Sequence, residues 1–232
     1  MLVSLKVFFA ENYIKEKIKI FKRTKMHLQS PFTAIICGAT GTGKSQWLMK
    51  LIKNANEMIM DVPKHIMYCY SEINPEILRL KNEGVEIFHG VPTKDQIIEK
   101  PKNLLLILDD LVSEIDAKFL EVLYTKGSHH WDVSVITVAQ NLYVPAHIKM
   151  ARVNCHYLIL MKNPQGLMQI RTLANQLFPG GKSKYFLEAY EDAVNQQSYG
   201  YLFINMKPNT DERYRLCTNI FPGQTPIIYL PI

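Results

Sequence analysis

The stretch Gly38-Ala39-Thr40-Gly41-Thr42-Gly43-Lys44-Ser45 decides how this chain is read. It satisfies the pattern G-x-x-x-x-G-K-[ST] without a mismatch. It also stands where that pattern carries meaning, after the strand-forming run Thr33 to Cys37 and at the start of a helical pattern, Lys44 to Asn54. Glycines let a backbone wrap closely round phosphate oxygens, and the N–H groups of such a loop and of the helix it opens point at that negative charge. Residues Gly38, Ala39, Thr40, Gly41, Thr42, Gly43, Lys44 and Ser45 are therefore expected to cradle the phosphates of ATP. Lys44 brings a positive charge to the β and γ phosphates, and the Ser45 hydroxyl is a ligand for Mg²⁺.

A second element matches the first. Leu104-Leu105-Leu106-Ile107-Leu108-Asp109-Asp110 is an apolar strand ending in two carboxylates, of the kind known as Walker B. A strand apolar on both faces belongs inside a parallel sheet. Asp109 then falls at the carboxyl end, where open parallel sheets bind ligands, and is expected to hold the Mg²⁺. That leaves Asp110 free to activate water. A third apolar run, Ser134 to Ala139, delivers Gln140 and Asn141 to the same edge, and the Gln140 amide can orient an attacking water or bond a phosphoryl oxygen without adding charge.

Around these elements short apolar runs alternate with helical patterns, the signature of a mainly parallel sheet flanked by helices. The strand candidates are Thr33 to Cys37, His65 to Tyr70, Val85 to His89, Leu104 to Leu108, Val133 to Ala139, His156 to Met161 and Tyr199 to Met206. Helices are expected over Lys44 to Asn54, Pro75 to Asn82, Ser113 to Tyr124, Met168 to Phe178 and Lys184 to Gln196. Two strand candidates fall between the phosphate loop and the acidic strand, and a third, ending in a polar residue, follows it. In nucleotide kinases the two motif strands usually adjoin. The order here suits the ATPases that insert a strand between them and activate water with an added carboxylate. Glu72, just past His65 to Tyr70, rivals Asp110 as general base, since RecA-like ATPases place one near that position. The expected fold class is thus α/β, a P-loop NTPase of the strand-inserted, RecA/FtsK-like kind.

Composition excludes several other classes. At 232 residues, with 47% apolar and 21% charged residues, the chain has the make-up of an ordinary globular protein, neither fibrous nor disordered throughout. No apolar run approaches the roughly 20 residues that cross a bilayer, and no signal peptide is read at the start. The net charge of +6 is concentrated in residues 1–30, which hold seven basic residues against two acidic ones, leaving 20 against 19 in the remainder. That segment reads as a basic arm with Ile14, Ile18 and Phe21 at helical spacing, either docking to a partner or packed on the body with a solvated lysine face. Residues 31–217 read as a single ATPase domain and 218–232 as a tail, where Pro222, Pro226 and Pro231 argue against a helix. Cys37, Cys69, Cys155 and Cys217 lie far apart inside strand-like runs, as reduced, buried thiols of an intracellular protein would.

Further segments carry a resemblance. Pro31-Phe32-Thr33, Tyr68-Cys69-Tyr70-Ser71-Glu72, Leu108-Asp109-Asp110-Leu111, Lys126-Gly127-Ser128-His129-His130 and Phe178-Pro179-Gly180 occur in an order that resembles viral genome-packaging ATPases of the FtsK/HerA type. So do Ser134 to Tyr143, His156 to Pro164, Phe186 to Asp192 and Tyr199-Gly200-Tyr201 through Thr218-Asn219-Ile220-Phe221-Pro222-Gly223. The likeness is to those of Polinton (Maverick) and adintovirus elements, relatives of the poxvirus packaging ATPase, and spans about residues 31–223. It implies a ring-shaped homo-oligomer that hydrolyses ATP to drive double-stranded DNA into a capsid, with a capsid vertex protein as partner, no membrane, and a site of action in the host nucleus or cytoplasm or in the virion. One departure stands out: where the family pattern has Asn-Pro-Arg-Asp, this chain has Asn163-Pro164-Gln165-Gly166.

A ring motor needs a cation from the neighbouring subunit to stabilise charge on the transferring phosphoryl group. Arg152, just before His156 to Met161, is the first candidate and Lys126 the second. The segment of Lys126 with His129, His130 and Trp131 is equally suited to line a pore and touch DNA phosphates. Two alternatives stay open on the sequence: a P-loop nucleoside or nucleotide kinase, and a nucleotide-binding assembly protein without turnover.

Overall fold

The computed structural model describes residues 26–230. The basic arm expected over residues 1–30 falls largely outside them, and so do Ile14, Ile18 and Phe21. Among the described residues the chain begins with β1 (Leu28–Gln29) and β2 (Thr33–Cys37), then α1 (Lys44–Lys53), α2 (Ala55–Met58), β3 (Ile59–Met60), β4 (His65–Tyr70), α3 (Pro75–Asn82) and β5 (Glu86–His89). It continues through α4 (Lys94–Ile98), β6 (Leu104–Asp109), α5 (Ala117–Val122), β7 (Val133–Ala139), α6 (Ala146–Val153) and β8 (Tyr157–Met161). The last elements are α7 (Leu167–Leu177), α8 (Ser183–Asn195), β9 (Tyr201–Asn205), β10 (Leu216–Thr218) and β11 (Ile227–Tyr229).

Among the described residues nine strands form one sheet in the order β11-β10-β9-β8-β2-β7-β6-β4-β5, while β1 and β3 make a separate parallel pair. From β8 to β5 every neighbour is parallel; β9, β10 and β11 extend the sheet antiparallel beyond β8. The strand inserted between β2 and β6 is β7, which follows both in sequence. Of the strands lying between them in sequence, β3 pairs with β1 outside this sheet, and β4 and β5 are laid outward at its far edge. The carboxyl ends of β2, β7, β6 and β4 consequently stand side by side.

Strand alternation sorts the core into two layers. On one face Ala34, Ile36, Tyr68, Leu105, Ile107, Ile136 and Val138 pack with Trp47, Leu48 and Leu51 of α1 and with Ile77 and Leu80 of α3. On the other, Ile35, Met67, Leu106, Val135 and Leu158 meet Leu120, Tyr124, Ile148, Leu173, Phe186 and Ala193 from α5 to α8. Because β2, β6, β7 and β8 are covered twice, they read as nearly continuous apolar runs, with the buried hydroxyls of Thr33, Ser134 and Thr137 as exceptions. The four cysteines are all buried and free of disulfides.

Several elements differ from the periodicity reading. The helix expected over Ser113 to Tyr124 starts only at Ala117, where the Asp116 side chain accepts from the Phe119 N–H at 2.9 Å, a cap that outweighs the pattern before it. It then widens into a π turn, Leu123–Gly127. Helix α4, five residues long, is too short to show a stripe and is held by a capping box between Thr93 and Gln96. Helix α6 was not anticipated either. Residues 218–232, which read as a tail in the sequence, contribute β11, paired with β10: their prolines exclude a helix but are tolerated beside a short edge strand.

The π turn aims Tyr124 into the sheet. Its hydroxyl donates to the Ala34 carbonyl oxygen at 2.7 Å and lies 2.9 Å from the Thr137 hydroxyl, tying β2 to β7 in the fully buried layer. Tyr124→Phe leaves those groups short of a partner and is expected to lower the unfolding free energy by about 1–3 kcal/mol. Urea denaturation checks this: the midpoint should fall with the slope unchanged.

Candidate phosphate-binding cleft

The loop between β2 and α1 is shaped by what surrounds its glycines. Gly43 caps α1 with φ 96, a left-handed conformation, and a Cβ there would meet the Cβ and ring of Tyr199 at 2.6 Å. Only glycine serves both conditions. Gly38 packs so closely on the end of β8 that a Cβ would lie 2.7 Å from that of Met161. Backbone bonds from Gly38 N–H to the Ala139 oxygen and from Ala39 N–H to the Lys162 oxygen, both 3.3 Å, fasten the loop to the ends of β7 and β8. The Thr42 hydroxyl closes it with a 2.7 Å bond to the Ala39 oxygen. No side chain caps α1 and no acidic residue sits in its first turn, so the donors at its start are left for an outside anion.

The loop borders a cleft of about 360 Å³ lined by Thr40, Gly41, Gly43, Lys44, Ser45, Glu72, Asp109, Asp110, Gln140 and Tyr199, among others. Three separate sequence signals therefore meet in one place. Lys44 is turned back on its own loop, its Nζ donating to the Gly38 oxygen at 2.9 Å and to the Ala39 oxygen at 2.8 Å. Partial burial lowers its pKa, opposed by the nearby Cys37, Asp109 and Asp110. Cys37 behind the loop is pushed up to about 12 by burial and stays a protonated thiol at neutral pH.

Asp109 ends the series Leu105, Ile107, Asp109 on the α1 face of β6, the face that Tyr68 shares from β4. The Tyr68 hydroxyl donates to Asp109 Oδ2 at 2.5 Å. Burial raises the Asp109 pKa above the ordinary carboxylate range; the Tyr68 bond opposes this, Asp110 adds to it and Lys44 opposes it. Asp110 follows in a left-handed turn, φ 56, exposed at the rim, a conformation that Asp tolerates better than most residues. Glu72 lies in the turn after β4, exposed to the same cleft. Gln140 is steadied from below by Asn163, whose Nδ2 donates to the Gln140 carbonyl oxygen at 3.2 Å.

Tyr68 and Tyr199 were missed by the motif reading. Tyr68 had one signal, a hydroxyl in the strand His65 to Tyr70 that Tyr70 offers as well, but its partner is set by strand pairing. The candidate trans-acting cations lie elsewhere. Arg152 is turned inward rather than outward as expected: it is 6% exposed, its guanidinium 4.7 Å over the Tyr143 ring and its Nε without a hydrogen-bond partner. Helix α6 carries it in its last turn, with Ile148 and Ala151 packed into the core beside it. Lys126 is exposed on the π turn that leads into β7, at the end of the sheet opposite the cleft.

Ser45 and Asp109 supply a hydroxyl and a carboxylate, hard oxygen ligands that fit a magnesium ion sharing phosphate oxygens. Among the described residues no group of three or more His, Cys, Asp or Glu residues stands ready to hold a metal by protein ligands alone, and no helix is long and apolar enough to cross a membrane.

No family model and no curated protein matches the chain. Solved structures similar to it include the genome packaging NTPase B204 of Sulfolobus turreted icosahedral virus 2 with ATP-gammaS, at 12% identity and TM-score 0.47 over 87% of this chain and 97% of that one. The cytoplasmic domain of the type VII secretion ATPase EccC of Thermomonospora curvata is similar at 13% identity and TM-score 0.50, over 79% of this chain and 26% of that one. A KaiC-like protein of Pyrococcus horikoshii follows at 13% identity and TM-score 0.46, over 87% and 91%. At 13% identity the EccC likeness is one of fold alone: with the loop Gly38 to Ser45 between β2 and α1, the chain has the α/β fold of P-loop NTPases, with a mostly parallel central sheet flanked by helices.

Because Asp109 holds its proton more tightly folded than unfolded, its contribution to stability is present below the unfolded pKa and is lost as pH rises through the folded one. At neutral pH the desolvated carboxylate is a cost. Asp109→Asn keeps an acceptor for Tyr68 and is expected to unfold at a higher temperature than the unaltered chain at pH 7, with the gap closing as pH falls into the range where Asp109 is protonated. Thermal denaturation across that range reads the effect.

Proposed function

We propose that this chain is a magnesium-dependent ATPase that works as a DNA-translocating motor, assembling as a ring to drive double-stranded DNA into a viral-type capsid. The observation that carries the reading is the meeting of Lys44, Ser45, Glu72, Asp109, Asp110 and Gln140 around one cleft, on a sheet where β7 separates the two motif strands. The resemblance of the ordered segments between residues 31 and 223 supports the packaging role. The inserted strand and the surplus of carboxylates favour hydrolysis over transfer to a small acceptor.

In this reading ATP lies along Gly38 to Ser45. Lys44 exchanges its two loop carbonyls for β and γ phosphate oxygens, a gain because the ammonium then meets anionic oxygens rather than neutral carbonyls. Mg²⁺ when bound supplies charge neutralisation at those oxygens, and Ser45 and Asp109 are the side chains that would hold it. Tyr68 keeps one Asp109 oxygen occupied and the carboxylate in a fixed orientation. Asp110 or Glu72 takes the proton of the attacking water, and the Gln140 amide positions it.

The trans-acting cation is Lys126 in preference to Arg152, whose guanidinium would first have to leave Tyr143. DNA is held through its phosphates, because a motor that moves any sequence gains nothing from reading bases. A capsid vertex protein is the structural partner, and the work is done in the host nucleus or cytoplasm or in the virion.

The ATPase rate measured against protein concentration, with and without duplex DNA, tests the motor. The specific rate should climb with both; a rate proportional to concentration and indifferent to DNA indicates a monomeric enzyme. DNA affinity should fall steeply with added salt. Lys44→Ala should abolish ATP binding. Asp110→Asn and Glu72→Gln separate the two bases: the variant that still binds ATP but loses turnover, by about 100-fold or more for a general base, names the residue.

A further inference from the structure

Beside the phosphate cleft lies a second one of about 490 Å³, lined by Thr42, Lys162, Asn195, Gln197 and Tyr199, among others. The two clefts share Gly41 and Tyr199, so a ligand with its phosphates on the loop can extend its other end into the second without leaving the protein surface. Tyr199 stands at the junction. Its Cβ, Cγ and Cδ1 press on Gly43, yet the residue remains 56% exposed.

Its backbone is in the left-handed region, φ 61, which a bulky residue keeps only when its surroundings enforce it. They do so here. Gly200 fits so tightly on the end of α8 that a Cβ would lie 2.5 Å from the Ala193 oxygen, and its N–H donates to the Gln197 oxygen at 3.0 Å. The Gln197 amide in turn donates to Asn219 Oδ1 at 3.0 Å. The turn between α8 and β9 is thus braced to present a half-open aromatic ring at the point where the two clefts meet.

We propose that the second cleft is the nucleobase subsite and that Tyr199 is the surface on which the base stacks; this deepens, and rests on, the nucleotide reading given above. Two of the polar side chains that line it are already engaged within the protein. Asn195 Oδ1 accepts from Lys162 Nζ at 3.0 Å, and its Nδ2 donates to the Glu191 oxygen at 2.8 Å. Stacking tolerates any base, since each offers a π face. The site therefore takes nucleoside triphosphates as a class, and ATP and GTP bind within about fivefold of each other.

Calorimetric titration of the full chain with ATP, GTP and inorganic tripolyphosphate, each with magnesium, tests the assignment. Tyr199→Ala should weaken ATP and GTP by about tenfold, the loss of one base–aromatic stack, and leave tripolyphosphate unchanged; Tyr199→Phe should behave as the unaltered chain. Equal losses for all three ligands would mean that the ring acts on the loop instead, and no loss, or an unaltered chain that binds ATP no more tightly than tripolyphosphate, would remove the base subsite. If the unaltered chain binds none of the three, the nucleotide reading itself falls. Should Tyr199→Ala fail to fold, photolabelling of the unaltered chain with 8-azido-ATP decides: label on residues 196–200 supports the subsite, and label confined elsewhere overturns it.

Discussion

Everything at this site depends on one spacing. The phosphate loop leaves β2, Asp109 ends β6, and the single strand β7 stands between them, so loop and carboxylate are about 10 Å apart across the sheet at the usual strand separation. A triphosphate with its metal spans such a gap, and the middle strand delivers Gln140 into it. If the strands paired in the order in which they occur along the chain, β4 and β5 would fill that position and the two motifs would be separated by a further strand width.

The cleft is maintained against local cost. Lys44 and Asp109 are both partly stripped of water, each with its pKa displaced toward the neutral form, and each satisfied by uncharged partners that leave it available. Lys44 rests on two carbonyls of its own loop and Asp109 on one phenol. Among the described residues neither is neutralised by a tight ion pair, which would hold the side chain more firmly but remove the charge that a phosphate or a metal requires. Stability lost at such groups is recovered in the doubly covered strands beneath them, a common division between active site and scaffold.

The antiparallel half of the sheet is part of the same machinery. Trp47 of α1 packs edge-on against Tyr201 of β9, with ring centroids 6.1 Å apart, and against Phe221 at 5.3 Å, so the helix that opens at the phosphate loop is clamped from the β9–β10 side. Lys50 lies 4.8 Å over the Phe221 ring. The same clamp brings the turn between α8 and β9 over Gly43. The residues after β8 are thus involved at the cleft rather than forming an appendage to the nucleotide fold.

The sequence by itself determined the elements whose signals are local. The loop Gly38 to Ser45 is contiguous, its glycines, lysine and serine being neighbours on the chain, and the doubly buried strands announce themselves because burial on both faces favours nearly continuous apolar runs. Asp109, Asp110, Glu72 and Gln140 were legible as polar residues at the ends of such runs. What only the tertiary structure decided is which ends adjoin and what lies across from them: that β7 is the inserted strand, that Tyr68 holds Asp109, that Tyr199 covers Gly43, that Arg152 is buried against Tyr143, and that residues 227–229 complete the sheet. Each of these joins residues by strand pairing or by packing between elements, in the case of Tyr199 and Gly43 more than a hundred positions apart along the chain. Contacts of that kind are selected by the shape and area that the whole fold buries, and no short window of sequence carries that information.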